Sequence, residues 1–267
     1  MAVDRAILVE GAPATEAELA CLALVNYGAY TSFRVEEGGV RGLDLHLARL
    51  EASAVDLFGE PVGEPRLREL MRTALGDCQE AWLRVSLFSP EIGPRTPGWT
   101  GRPQVMTAVS PPPPPLADRV RVQIQTHVRD AAHLKHTATF PLIRARRQAR
   151  AAGFDDALFT DADGRISEGT LWNIGLTRGE TVVWPQAPML AGVTQALIGR
   201  GLAGVGLEAV SAPVRLADLG GFDGAFLCNS ATPACAITAI GDVAFAGADA
   251  MIARVDQAWR SNPRQTI

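Results

Sequence analysis

The chain has 267 residues, 47% of them hydrophobic, and a formal net charge of −4. That is ample apolar material for one large core or two modest ones, and the arginines are interspersed with acidic residues, which excludes a basic field for a nucleic-acid backbone. No run of roughly 18 apolar residues occurs, and the opening MAVDRAILVEGAP lacks a basic segment followed by a long apolar one, so the reading is a cytoplasmic protein with neither membrane span nor leader.

In chain order, the apolar runs Tyr30 to Val35, Trp82 to Phe88 and Val105 to Val109 predict strands. Two helices are predicted between them. The first follows Asp44, taken as its N-cap, with Leu43, Leu47, Leu50, Ala54 and Leu57 on one stripe. The second spans Glu64 to Leu75 and stops at Gly76. The proline run Pro111 to Pro115 cannot enter a helix or a central strand and predicts an interdomain linker.

Beyond it, Val120, Val122 and Ile124 alternate with polar residues as in a strand, Ala138 to Ala152 predicts a helix closed by Gly153, and Ala157 to Phe159 a short strand. Asn173 to Thr177 and Thr181 to Trp184 predict a hairpin through Arg178-Gly179-Glu180. A helix at Thr194 to Leu202, strands at Ala225 to Cys228 and Ala236 to Ile240, and a last helix at Ala248 to Trp259 follow. Irregular alternation with hairpins predicts two α+β domains, not one doubly wound sheet. The expected division is residues 1–110, a linker at 111–117, and residues 118–267.

Cys21, Cys78, Cys228 and Cys235 form no CxxC pair, and His133 and His136 have HxxH spacing but no flanking acidic ligands, so no metal is expected. The turn Asp161-Ala162-Asp163-Gly164 lacks the further acidic positions of a calcium loop. Lys135 stands out. It is the one lysine among the 25 Lys plus Arg, and arginine stays protonated, so only this side chain can serve as a nucleophilic amine.

Around Lys135 the string reads LKHTATFPLIRARRQARAAGFDDALFTDADGRISEGTLWNIGL. The lysine's spacing to Gly153, the Ala157 to Gly164 segment, and Ser167-Glu168-Gly169-Thr170-Leu171-Trp172-Asn173 together resemble the class IV aminotransferases. These are the fold-type IV pyridoxal-phosphate (PLP) enzymes, which include branched-chain and D-amino acid aminotransferases and aminodeoxychorismate lyase. The resemblance extends upstream to Tyr30 to Val35 and His46-Leu47-Ala48-Arg49-Leu50, and downstream to Leu190-Ala191-Gly192-Val193-Thr194 and Ala225 to Ser230.

The resemblance implies a two-domain α+β fold, with a smaller N-terminal domain and a larger C-terminal one of mainly β core. It implies pyridoxal 5'-phosphate as cofactor and a homodimer acting on an amino donor and an oxo-acid acceptor. Lys135 is the implied catalytic residue, joined to the cofactor as a Schiff base and moving protons once freed. Glu168 is implied to face the pyridine nitrogen and Arg49 the phosphate, with the amides of Val193 and Thr194 and the hydroxyls of Thr194 and Ser230 as further phosphate donors. Tyr30 is implied to line the substrate pocket; Arg34, on the same strand face, Phe140 and Ala231 are the other substrate-binding candidates.

Two departures qualify this. Phe140 stands where branched-chain enzymes place a tyrosine, which argues against that specificity, and Gln195 replaces the arginine usual after the glycine-led turn. Transamination is the leading expectation. The alternatives are lyase-type β-elimination releasing pyruvate and a non-catalytic relative used for binding.

Overall fold

The structure, a computed structural model, describes residues 6–114, 116, 119–245 and 249–267. Residues 115 and 117 of the expected linker, residue 118 at the expected start of the second domain, and Ala248 at the expected start of the last helix lie outside the described residues. The chain divides into two compact units: one takes residues up to Pro114 together with Leu134–Ala138 and Arg264–Ile267, and the other takes the rest. This corrects the sequential division at two places, because Lys135 and the last four residues pack with the first unit.

The first unit is built on a five-stranded sheet. Its early elements are β1 (Ala6–Val9), β2 (Ala12–Pro13), α1 (Glu16–Leu24), β3 (Ala29–Val35), β4 (Gly39–Arg41), α2 (Leu43–Phe58), α3 (Glu64–Leu75), β5 (Ala81–Phe88) and β6 (Gln104–Ser110). The sheet order is β2-β1-β6-β5-β3, antiparallel throughout. Strand alternation sends Phe33, Val35, Leu83, Val85 and Leu87 to one face, where they join Leu43, Leu47, Leu50 and Phe58 of α2 and Leu67, Leu70 and Met71 of α3 in one core. Each such side chain contributes roughly 1.5–3 kcal/mol by leaving water.

The opposite face carries Tyr30, Ser32 and Arg34, which lie directly across from Ser86, Arg84 and Trp82. α1 was not anticipated, although Thr15 and Glu18 form a capping box. The expected cap of α2 is also corrected. Gly42 is the N-cap, in the left-handed region at φ +71°, and Asp44 sits inside the first turn.

The second unit holds a nine-stranded sheet. Its elements are β7 (Arg119–Thr126), α4 (Phe140–Ala151), β8 (Asp156–Thr160), β9 (Ile166–Gly169), β10 (Asn173–Arg178), β11 (Thr181–Pro185), α5 (Val193–Gly201), β12 (Glu208–Ala212), β13 (Gly224–Cys228), β14 (Cys235–Ile240), β15 (Val243–Ala244) and α6 (Asp249–Arg260). The order is β12-β11-β10-β13-β14-β7-β8-β9, with β15 on β14. Leu142, Ala145 and Ala149 of α4 pack on Ala157 and Phe159 of β8. Ile198 of α5 and Val255 and Ala258 of α6 pack on Val182, Trp184 and Phe226. The residues of β8 are buried on both faces, which explains its unbroken apolar run.

The final strand, β16 (Arg264–Thr266), returns to the first unit and pairs antiparallel with β4. Ile267 behind it is buried in the first unit's core. Among the described residues no helix is long and apolar enough to cross a membrane.

Candidate active site

In the first unit the chain around Lys135 is irregular, and β3 pins it. The Tyr30 amide donates to the Lys135 carbonyl at 2.9 Å, the Thr137 amide donates to the Gly28 carbonyl at 2.9 Å, and Ala29 bridges His136. Gly28 is glycine for a steric reason: a Cβ there would stand 2.3 Å from the Leu87 carbonyl oxygen. The half-buried Lys135 directs its amine over the Tyr30 ring, 4.9 Å from the centroid. The Arg84 guanidinium lies 3.8 Å from the same centroid. Two cations on one buried tyrosine are each favoured by the ring's quadrupole.

α2 brings two more basic groups to this cluster. His46 and Arg49 are three residues apart and so share a helix face. His46 is buried, hydrogen-bonded through Nδ1 to Thr31 Oγ1 at 2.6 Å, and packed at a tilt against Phe33. Burial first, then the charges of Arg49 and Lys135, hold its pKa well below the ordinary histidine value, so the ring is neutral at physiological pH. Burial also draws the Arg49 pKa down to about 10, against an opposing pull from Tyr30. Arg84 is shifted down for the same first reason. Its Nε donates to Ser86 Oγ at 3.1 Å, and no carboxylate partner meets it among the described residues.

In the second unit Glu168, on β9, is buried and accepts from Arg129 Nη1 at 3.0 Å and from the Leu190 amide at 3.2 Å. Asn173 Nδ2 donates to the Leu190 carbonyl at 2.8 Å, and a Cβ at Gly192 would stand 1.9 Å from Asn173 Oδ1. Glu168 and Asn173 therefore clamp the turn that leads into α5. Helix geometry leaves the amides of Val193 and Thr194 without intrahelical acceptors. Gly192 is the N-cap, so Thr194 is not a plain capping residue; it is buried in the first turn.

After β13, Asn229 Oδ1 accepts from the amides of Ala231 and Thr232 at 2.9 and 2.8 Å, while Asn229 Nδ2 donates to the Leu171 carbonyl at 3.3 Å. This puts Ser230 and Ala231 at the tip of a tight loop tied to the segment following Glu168.

The structure thus gathers Lys135, Tyr30 and Arg49 in the first unit, and Glu168, Val193 and Thr194 in the second. Arg34 donates to the Pro113 carbonyl at 3.3 Å and lies 4.0 Å from Glu36. Phe140, at the start of α4, is 70% exposed. Sequence reasoning missed Arg84, His46 and Arg129. The first two had a signal, alternation with Tyr30 across the sheet and the His46-x-x-Arg49 spacing; Arg129 had none. Among the described residues no group of three or more His, Cys, Asp or Glu could hold a metal ion.

The mixed helix-and-sheet architecture matches that of the fold-type IV aminotransferases. A solved structure described as a hypothetical aminotransferase from Mycobacterium tuberculosis in PLP-bound form shares the fold at a TM-score of 0.75, with 22% identity over 96% of this chain and 99% of that one. Residues 28–240 match the amino-transferase class IV family model, and the chain belongs to that family of pyridoxal-phosphate enzymes.

Two relatives carry provisional branched-chain-amino-acid aminotransferase names. The one from Methanocaldococcus jannaschii is 25% identical over 217 residues, 76% of this chain and 75% of its own length. The one from Rickettsia felis is 33% identical over 90 residues, a match that spans 33% of this chain and 31% of that protein.

Proposed function

We propose that the chain is a PLP-dependent aminotransferase that moves an amino group between an amino acid or amine and a 2-oxo acid. The observation that carries this reading is the placement of Lys135, the chain's one side-chain primary amine, pinned to β3 and set over Tyr30 among Arg49, Arg84 and a neutral His46. Taken unit by unit, the donors suit the cofactor: the first unit has an amine for its aldehyde and a buried arginine for its phosphate, and the second has a helix start for a phosphate and a buried carboxylate for a ring nitrogen.

Bound at Lys135, PLP supplies an electron-withdrawing ring for bond breaking at the donor's amino carbon. Arg49 would hold the phosphate through charge-assisted hydrogen bonds, and in the second unit the amides of Val193 and Thr194 and the hydroxyls of Thr194 and Ser230 would be its proposed donors. Glu168, oriented by Arg129 and the Leu190 amide, would hold the cofactor's ring nitrogen in its protonated form. Lys135 Nζ, as the free amine, takes the proton from the donor's amino carbon.

Arg84 replaces Arg34 as the leading partner for the substrate carboxylate, because Arg34 is engaged by Glu36 and Pro113 whereas Arg84 meets no carboxylate among the described residues. Tyr30, Phe140 and Ala231 are the remaining proposed substrate contacts, and a homodimer is the proposed assembly.

The test is a visible spectrum of the PLP-treated protein beside a panel of amino donors with pyruvate and 2-oxoglutarate. The wild type is expected to show the absorption of lysine-bound cofactor and to consume an acceptor; Lys135→Arg is expected to lose both while remaining folded. A wild type that stays colourless with added PLP refutes the reading. Release of pyruvate from aminodeoxychorismate with no acceptor present assigns the lyase reaction instead.

A further inference from the structure

We infer that Gln265 is a positioning residue for the cofactor phosphate, acting through the helix that carries Arg49; the inference rests on the aminotransferase reading. α2 begins at Gly42, which has no side chain to cap it. A helix start leaves its first amides without partners, and an N-cap side-chain oxygen ordinarily accepts from the second or third of them. Here that oxygen comes from elsewhere in the sequence: Gln265 Oε1 accepts from the Asp44 amide at 2.9 Å.

The strand that delivers it is held firmly. Arg264, Gln265 and Thr266 pair with Arg41, Val40 and Gly39, and Arg264 Nη1 lies 2.7 Å from Glu37. Arg68 Nη1 donates to the Thr266 carbonyl at 2.8 Å, Arg72 Nη1 donates to the Ile267 main-chain oxygen at 3.2 Å, and Ile267 is buried in the core. Gln265 is therefore a cap on a rigid mount.

What the cap controls follows from the next turns of α2. His46, one turn in, is fixed by its contact with Thr31. Arg49, one turn further along the same face, is a long side chain whose hold on a phosphate depends on the helix's position to within about 0.5 Å. Without the cap, the first turn loses one of the contacts that fix it, and its position is set less sharply by the buried Leu43, the His46 contact with Thr31 and the β4 connection. The consequence is specific to the phosphate, because Lys135 is pinned through β3, not through α2.

The experiment measures binding of PLP and of pyridoxal, which lacks the phosphate, to wild type, Gln265→Ala and Gln265→Glu, with kcat at saturating PLP and thermal melting alongside. Gln265→Ala is expected to raise the PLP dissociation constant about fivefold, the equivalent of one helix cap, with pyridoxal binding and kcat unchanged. Gln265→Glu, which keeps the acceptor oxygen, is expected to restore PLP affinity. Gln265→Met, of matched length, takes the place of the alanine variant if that one does not fold.

An unchanged PLP constant beside a PLP-binding wild type overturns the inference alone, and so does an equal loss for PLP and pyridoxal, which marks a general structural role. A wild type that binds neither compound overturns the aminotransferase reading and this inference with it.

Discussion

Replacing Gly28 with alanine tests whether the β3 clip is what holds Lys135. The added Cβ would stand 2.3 Å from the Leu87 carbonyl oxygen, where ordinary contact begins at 3.4 Å, so one of the two backbones must move by about 1.1 Å. The obstacle is main chain paired in the sheet, not a flexible side-chain end. Such overpacking costs about 1–3 kcal/mol. The shift also strains the bonds from Thr137 to the Gly28 carbonyl and from Tyr30 to the Lys135 carbonyl, worth about 1 kcal/mol each. A net loss of about 3–5 kcal/mol lowers Tm by about 6–20 °C in a chain of this size. The amine moves with the clip, and a displacement of about 1 Å costs about a hundredfold in turnover. Differential scanning fluorimetry and kcat at saturating PLP read the two effects. Gly98→Ala, where a Cβ meets nothing within 4 Å, is the control. A Gly28→Ala protein that melts within about 2 °C of wild type with unchanged kcat would refute the reasoning.

Two further predictions concern pH and the second unit. The folded state holds His46 with a depressed pKa while the unfolded chain titrates near 6.5. As pH falls below about 6.5 only the unfolded state gains this proton, so His46 withdraws about 1.4 kcal/mol of stability per pH unit until the folded pKa is reached. His46→Gln should flatten the urea-denaturation stability curve between about pH 5 and 6.5; an unchanged slope refutes the assignment. In the second unit, Gly192→Ala places a Cβ 1.9 Å from Asn173 Oδ1 and should destabilise by about 1–3 kcal/mol. Adding Asn173→Ala removes the obstructing oxygen, so the double variant should recover about 1 kcal/mol relative to the sum of the singles. Strict additivity in chemical denaturation would show that the clash is not what excludes a side chain there.

The elements legible in the sequence were those whose burial follows a simple period. α3 was read as Glu64 to Leu75 with a stop at Gly76, where the structure buries Leu67, Leu70 and Met71, and β5 from its apolar run, because a core face imposes spacing on local sequence. Several short elements were not anticipated. β2, β4 and β16 contain two or three residues, too few for any period to register. α1 buries none of its residues, so no apolar stripe marks it. The start of α2 was misplaced because Asp44 resembles a cap in type, while the working N-cap is a glycine whose missing side-chain bond is made from Gln265.

The candidate site divides along the same line. Lys135, Glu168 and Arg49 could be proposed from the sequence because the roles proposed for them are constrained in kind: a nucleophilic amine, a carboxylate for a cation and a fork for a phosphate have few substitutes. The groups that hold them are constrained in place instead. Arg129 serves Glu168 from a turn with no periodic signal, and Thr31 fixes His46 from the facing strand. A hydroxyl, an amide oxygen or a guanidinium can do such work from any segment that the fold brings near, so these residues need carry no recognisable spacing to the ones they position. That is why Gly28 and Gln265 are the informative substitutions. Neither is assigned a contact with the substrate or the cofactor, and the effect of each is set by a distance that exists only in the folded chain.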